Sequence, residues 1–177
     1  MKPKILLTSF QTWLPHQKYN SSDEILAQIQ KLNSSSYASL YFLRHLPVNV
    51  ELASQKLIAE IEYIQPDVII CCGMAEKRDK LTIESNACCC QECLYTAVDL
   101  TELCKKLVVT EISHNAGKFV CEGLYYQVLK HIQSQRRKTV CIFVHIPLLE
   151  NLHPDLVLRD FHLMFFLLIQ LEKKYDC

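Results

Sequence analysis

The chain has 177 residues, half of them hydrophobic and 21% charged, which suits one globular domain, 1–177, able to bury roughly 70% of the surface its unfolded form exposes. Nineteen basic residues offset nineteen acidic ones, so no net positive field exists to hold a nucleic-acid backbone or an anionic membrane surface, and neither is an expected partner. MKPKILLTSF lacks the apolar run and cleavage site of an export signal, and LMFFLLIQL at 163–171 falls short of the about 20 apolar residues of a membrane span, so the expected compartment is the cytoplasm.

PKILLTS at 3–9 reads as a buried strand, followed by an irregular aromatic loop, FQTWLPHQKYN, of the kind that carries function. Ser21 or Ser22 is expected to cap a helix running to about Leu32, with Asp23 and Glu24 in its first turn. After a serine-rich turn, SSSYASLYFLRHL gives a second strand. VNVELASQKLIAEIEYI has its apolar residues at helical spacing. PDVIICCG at 66–73 is a third strand closed by glycine. Residues 79–90 alternate and then turn cysteine-rich, LTELCKKL is a short helix, and VVTEIS is another strand. FVCEGLYYQVLKHIQS is a helix whose C-terminal end suits the basic cluster Arg136 to Lys138. TVCIFVHIP is a strand stopped by proline, and a last helix from Asp155 to Lys174 covers the sheet. Strands alternating with helices predict an α/β fold, a mostly parallel sheet covered on both faces. The three glycines form no phosphate-binding loop, which argues against a nucleotide enzyme.

Ten cysteines is a high count. In a reducing compartment no disulfide framework is expected, so each cysteine is core filler, metal ligand or nucleophile. Cys90 and Cys93 have CxxC spacing, with Cys71 and Cys72 expected on a neighbouring strand, but no second pair completes a four-ligand set. Reduced cysteines at a sheet edge are expected there, with no metal and no cofactor. Cys121 follows the turn SHNAGKFV and opens a helix, whose positive end favours a thiolate. A core cysteine sits equally well at that place.

Functional groups in α/β folds gather at the carboxyl ends of strands. Glu84 in LTIES, Cys121 after VVTEIS and His145 in CIFVHIP all lie near such ends. A thiol nucleophile, a base for its proton and a group to orient the imidazole are the minimum set for acyl transfer. Each residue also has a plain reading. His145 can simply satisfy a backbone carbonyl, Glu84 and the EKRDK run around Arg78 can be solvated, and Phe10 with Trp13 can plug a loop.

The stretches taken in order resemble the pyrrolidone-carboxyl peptidases, also called pyroglutamyl peptidases of type I. SHNAGKFVC is similar to the family's nucleophile segment, with Ala116, Gly117 and Cys121 in place. FVHIP resembles its strand-ending histidine segment, and GMAEKRDKLTIESNA its arginine and glutamate segment. KILLTSFQTW, with Trp13 where the family has a second phenylalanine, NSSDEI from Asn20, LPV at 46–48 and PDVII at 66–70 extend the match. The resemblance implies a three-layer α/β/α sandwich with a mostly parallel, mixed sheet. It implies a cofactor-free cysteine peptidase acting on peptides with an N-terminal pyroglutamate, and it allows a homo-oligomer without requiring one. Cys121 would be the nucleophile, His145 the general base and then acid, and Glu84 its orienting carboxylate. Phe10, Trp13, Asn20 and Arg78 would contact substrate, and the helix start at Cys121 would offer N–H groups to the oxyanion. The chain departs from the family at LPHQKYN, where a glycine pair is absent, and at AEKR, which replaces Ala-Pro-Gly-Arg. The segment from Glu84 to Cys121 is shorter and contains CCCQEC. An inactive or substrate-shifted relative acting as a binding module is the alternative.

Overall fold

The computed structural model describes residues 2–32, 37–135 and 138–174. The strands Lys4–Phe10 (β1), Ser39–Leu46 (β2), Val68–Met74 (β3), Leu81–Glu84 (β4), Thr110–Ser113 (β7) and Val140–Ile146 (β8) form one sheet in the order β2-β1-β3-β8-β4-β7. β2, β1, β3 and β8 are mutually parallel, whereas β4 runs antiparallel to β8 and carries β7 parallel to itself. The sheet is therefore mixed. The turn from β3 to β4 is too short for the crossover that a parallel return needs.

Helices Ser21–Leu32 (α1), Leu100–Cys104 (α3) and Pro154–Lys174 (α5) cover one face, and Val50–Ile64 (α2) and Val120–Ser134 (α4) the other. This explains the continuous apolar runs of β1, β3 and β8, which are buried on both sides. Along β3, Val68, Ile70 and Cys72 face α1 and α5, while Ile69 and Cys71 face α2 and α4. The same alternation sends Gly73 of β3, Glu84 of β4 and His145 of β8 to the α2/α4 face. No helix among the described residues is long and apolar enough to cross a membrane.

Two local expectations change. The cap of α1 is Asn20, not Ser21 or Ser22. The Asn20 Oδ1 accepts from the Ser22 N–H at 3.0 Å and from its hydroxyl at 2.7 Å. Both serines are buried inside the first turn, and asparagine is at least as good a cap as serine. The cysteine-rich stretch is a hairpin, Asn86–Cys89 (β5) and Glu92–Tyr95 (β6), separate from the main sheet. It places Cys88 directly opposite Cys93, and the two are joined in a disulfide. Cys90 occupies the turn with φ of 57°, so the CxxC spacing is not what brings sulfurs together. Among the described residues no cluster of three or more His, Cys, Asp or Glu side chains is arranged to hold a metal. Arg136 and Arg137 of the basic cluster, and the serines at 34–36, lie outside the described residues.

Candidate active site

β3 and β8 are paired so that Gly73 lies beside His145. The first turn of α4 descends on this pair. A Cβ at position 73 would stand 2.7 Å from Cys121 Sγ and 3.0 Å from the Phe143 ring. Glycine here leaves the space that the thiol occupies. Nothing in the sequence flagged it beyond its place at the strand end. Gly73→Ala is expected to push Sγ out of this slot. A misplacement near 1 Å costs on the order of 10²-fold in rate, while relief of the overpacking costs about 1–3 kcal/mol of stability. Comparing catalytic rate with the thermal midpoint checks this; an unchanged rate in the variant would show that the slot does not set the thiol's position.

Glu84 and His145 meet across β4 and β8. His145 Nδ1 lies 2.7 Å from Glu84 Oε1, and His145 is buried against Phe143, with ring centroids 4.8 Å apart. Glu84 is fully buried and is ion-paired to Arg78, whose Nη1 is 2.5 Å from the same oxygen. Arg78 also contacts the Thr82 hydroxyl closely and donates from Nη2 to the Asn115 carbonyl at 2.8 Å. The Tyr125 hydroxyl donates to the Glu84 carbonyl at 3.2 Å, which ties α4 to the end of β4.

The charges follow from these partners. Burial alone would raise the Glu84 carboxyl. The hydrogen bond from His145, the Ser113 hydroxyl beside it and the charges of His145 and Arg78 outweigh burial and hold it below the usual carboxylate range. Burial lowers His145 more than Glu84 raises it, with Arg78 adding to the lowering, so the imidazole is neutral near pH 7. Cys121 overturns the expectation of a favoured thiolate. Burial, then the Glu84 carboxylate and Cys71, push it up to about 12, against smaller help from Arg78 and its own N–H. The residue is half-buried and borders the cavity, with Sγ set in the slot over Gly73. No hydrogen bond joins Cys121 to His145 among the described residues.

A cavity of about 290 Å³ opens over Cys121 and His145, just below the size of small-molecule sites. Phe10, Trp13 and Asn20 line it, as do Ala116 and Phe119. Phe10 is buried. Trp13 is exposed and packs at a tilt on Phe119 with centroids 4.6 Å apart. Asn20 faces the cavity, but its amide is committed to capping α1 and to the Gln11 carbonyl at 3.3 Å. Arg78 does not line the cavity. It lies behind Glu84, so an expected substrate contact becomes a partner of the carboxylate. α4 starts at Phe119 without a side-chain cap, unlike α2 and α3, which are capped by Asn49 and Asp99. Sequence reading missed Phe119, Gln17 and Glu76 at this cavity; they sit in segments with no periodic signal.

Residues 95–160, which include Cys121 and His145, match the family model described as pyroglutamyl peptidase. The pyrrolidone-carboxylate peptidase of Oceanobacillus iheyensis is 25% identical over 169 residues, covering 81% of this chain and 83% of that protein. That of Brevibacillus brevis is 25% identical, covering 82% and 78%. Among solved structures, a mutant pyrrolidone carboxyl peptidase from Pyrococcus furiosus superposes with a TM-score of 0.83 at 20% identity, covering 94% of this chain and 98% of that one. Pyroglutamyl peptidase I from Bacillus amyloliquefaciens gives 0.77 at 23% identity, covering 92% and 93%. These two likenesses concern the fold.

Proposed function

We propose that the chain is a divergent member of the pyroglutamyl peptidase family and a cysteine peptidase releasing N-terminal pyroglutamate from peptides, a reading supported by its likeness to that family's model and to curated relatives. The observation that carries this reading is the Glu84–His145 contact of 2.7 Å, with His145 and Cys121 lining one cavity. Glu84 accepts from Nδ1–H, which leaves Nε2 as the basic nitrogen. The neutral imidazole takes the proton of the Cys121 thiol as sulfur attacks the lactam-bearing carbonyl. Such catalytic hydrogen bonds are often long without substrate and tighten in the complex. Free N–H groups at the uncapped start of α4 stabilise the oxyanion. His145 then protonates the departing amine, and water attacks the thioester with the same histidine as base, releasing free pyroglutamate and the thiol. Phe10 and Trp13 supply the apolar walls for the uncharged lactam ring.

The test is selectivity among aminoacyl fluorogenic amides under reducing conditions. The pyroglutamyl amide is expected to turn over, and the prolyl and glutaminyl amides, whose charged amines meet apolar walls, are expected to be rejected by at least about 10²-fold. Turnover of the prolyl amide at a similar rate, or of none in folded protein, would favour a shifted substrate or a binding module.

A further inference from the structure

Two sequence departures meet in space. Within LPHQKYN, Gln17 Oε1 accepts from the Trp13 N–H at 3.1 Å and the Leu14 N–H at 3.2 Å. Its Nε2 donates to Glu76 Oε1, in AEKR, at 2.8 Å. His16 Nε2 reaches the same carboxylate at 3.3 Å. One side-chain amide therefore holds the backbone of the tryptophan loop and anchors it to the β3–β4 turn. The Gln17 hydrogen bond, opposed by burial and helped by His16, holds Glu76 below its ordinary value, and a charged acceptor makes the stronger bond. This loop carries Trp13, packed at a tilt on Phe119 beside the cavity that holds Cys121.

We propose that Gln17 and Glu76 are positioning residues, a clip that holds Trp13 over the cavity and thereby sets the affinity for the acyl group. Neither residue touches the reacting atoms. The fixed loop reduces the ordering cost when a ring enters between Phe10 and Trp13. The affinity arm of this idea rests on the hydrolase reading; the positioning arm does not.

Trp13 is the sole tryptophan, so fluorescence reports its loop directly. The full chain, Gln17→Ala, Glu76→Ala and Glu76→Gln are compared by acrylamide quenching, by thermal midpoint and by hydrolysis of a pyroglutamyl amide. The two alanine variants are expected to raise the quenching constant about twofold, as a half-exposed ring becomes fully exposed. They are expected to raise KM about tenfold with kcat within about twofold, the signature of lost uniform binding. Glu76→Gln keeps an acceptor for Gln17 and is expected to restore both. Unchanged quenching in Gln17→Ala, Glu76→Gln failing as Glu76→Ala does, or raised quenching with unaltered KM in an active enzyme each overturns the clip. If the wild type hydrolyses no such amide, the functional reading fails, and the quenching comparison alone decides the clip.

Discussion

Cys121→Ala is expected to lower kcat/KM for a pyroglutamyl amide by at least about 10⁴-fold while the protein still folds, because removing the proposed nucleophile removes the proposed reaction path itself. The variant leaves a small space over Gly73 and breaks no side-chain hydrogen bond seen among the described residues. The manner of activation is a separate question with its own measurement. With the thiol pushed up to about 12, very little of it is ionised at pH 7. On the proposed reading the resting site is then a thiol beside a neutral imidazole rather than an ion pair, with His145 as the general base during attack. Alkylation of Cys121, followed on its own peptide by mass spectrometry, is expected to quicken about tenfold per pH unit from 7 to 10 without a plateau. A plateau already reached below pH 7 would show a preformed thiolate–imidazolium pair and reverse this order of events.

The positions of the candidate triad were legible because each sits where a strand or a turn ends, and because strand alternation carries Glu84 and His145 to one face. The protonation state of Cys121 was not legible. A helix start announces a positive dipole, but the depth of Sγ and the nearness of the Glu84 carboxylate are tertiary facts that outweigh it. Gly73 reads as a strand terminator; only the descent of α4 onto β3 turns it into a slot. The sequence offers Asn20 as a substrate contact and the next two serines as caps. One residue of offset decides which side chain reaches the N–H of the first turn, and boundaries are where pattern reading is coarsest. The hairpin was hidden by the conspicuous CxxC spacing. The useful signal was Cys88 and Cys93 flanking a tight turn, since two residues equally far from such a turn face each other. The Gln17–Glu76 contact spans two irregular segments and leaves no periodic trace.

Glu84→Gln is expected to lower kcat by about 10³ to 10⁴, since an amide can present its N–H to Nδ1 and leave the imidazole in the wrong tautomer, and it offers no charge to the imidazolium that forms. Stability falls as well, because Arg78 loses its ion-pair partner; its guanidinium is a quarter exposed, so the loss is below the roughly 3–5 kcal/mol of a wholly buried pair. The pH dependence separates a catalytic partner from a structural one. In the wild type His145 lies below its ordinary value of 6.5, with burial lowering it and Glu84 raising it. The base must be neutral, so activity is present above the His145 pKa and lost as pH falls through it. Removing the Glu84 charge removes the raising influences and leaves burial and Arg78. The imidazole then stays neutral to still lower pH, and the acid limb moves further to the acid side. Where residual rates are too small to profile, NMR titration of the His145 ring reads the same displacement. A limb that stays in place, or moves to the alkaline side, would mean that the carboxylate does not act on the imidazole, whatever the loss of rate.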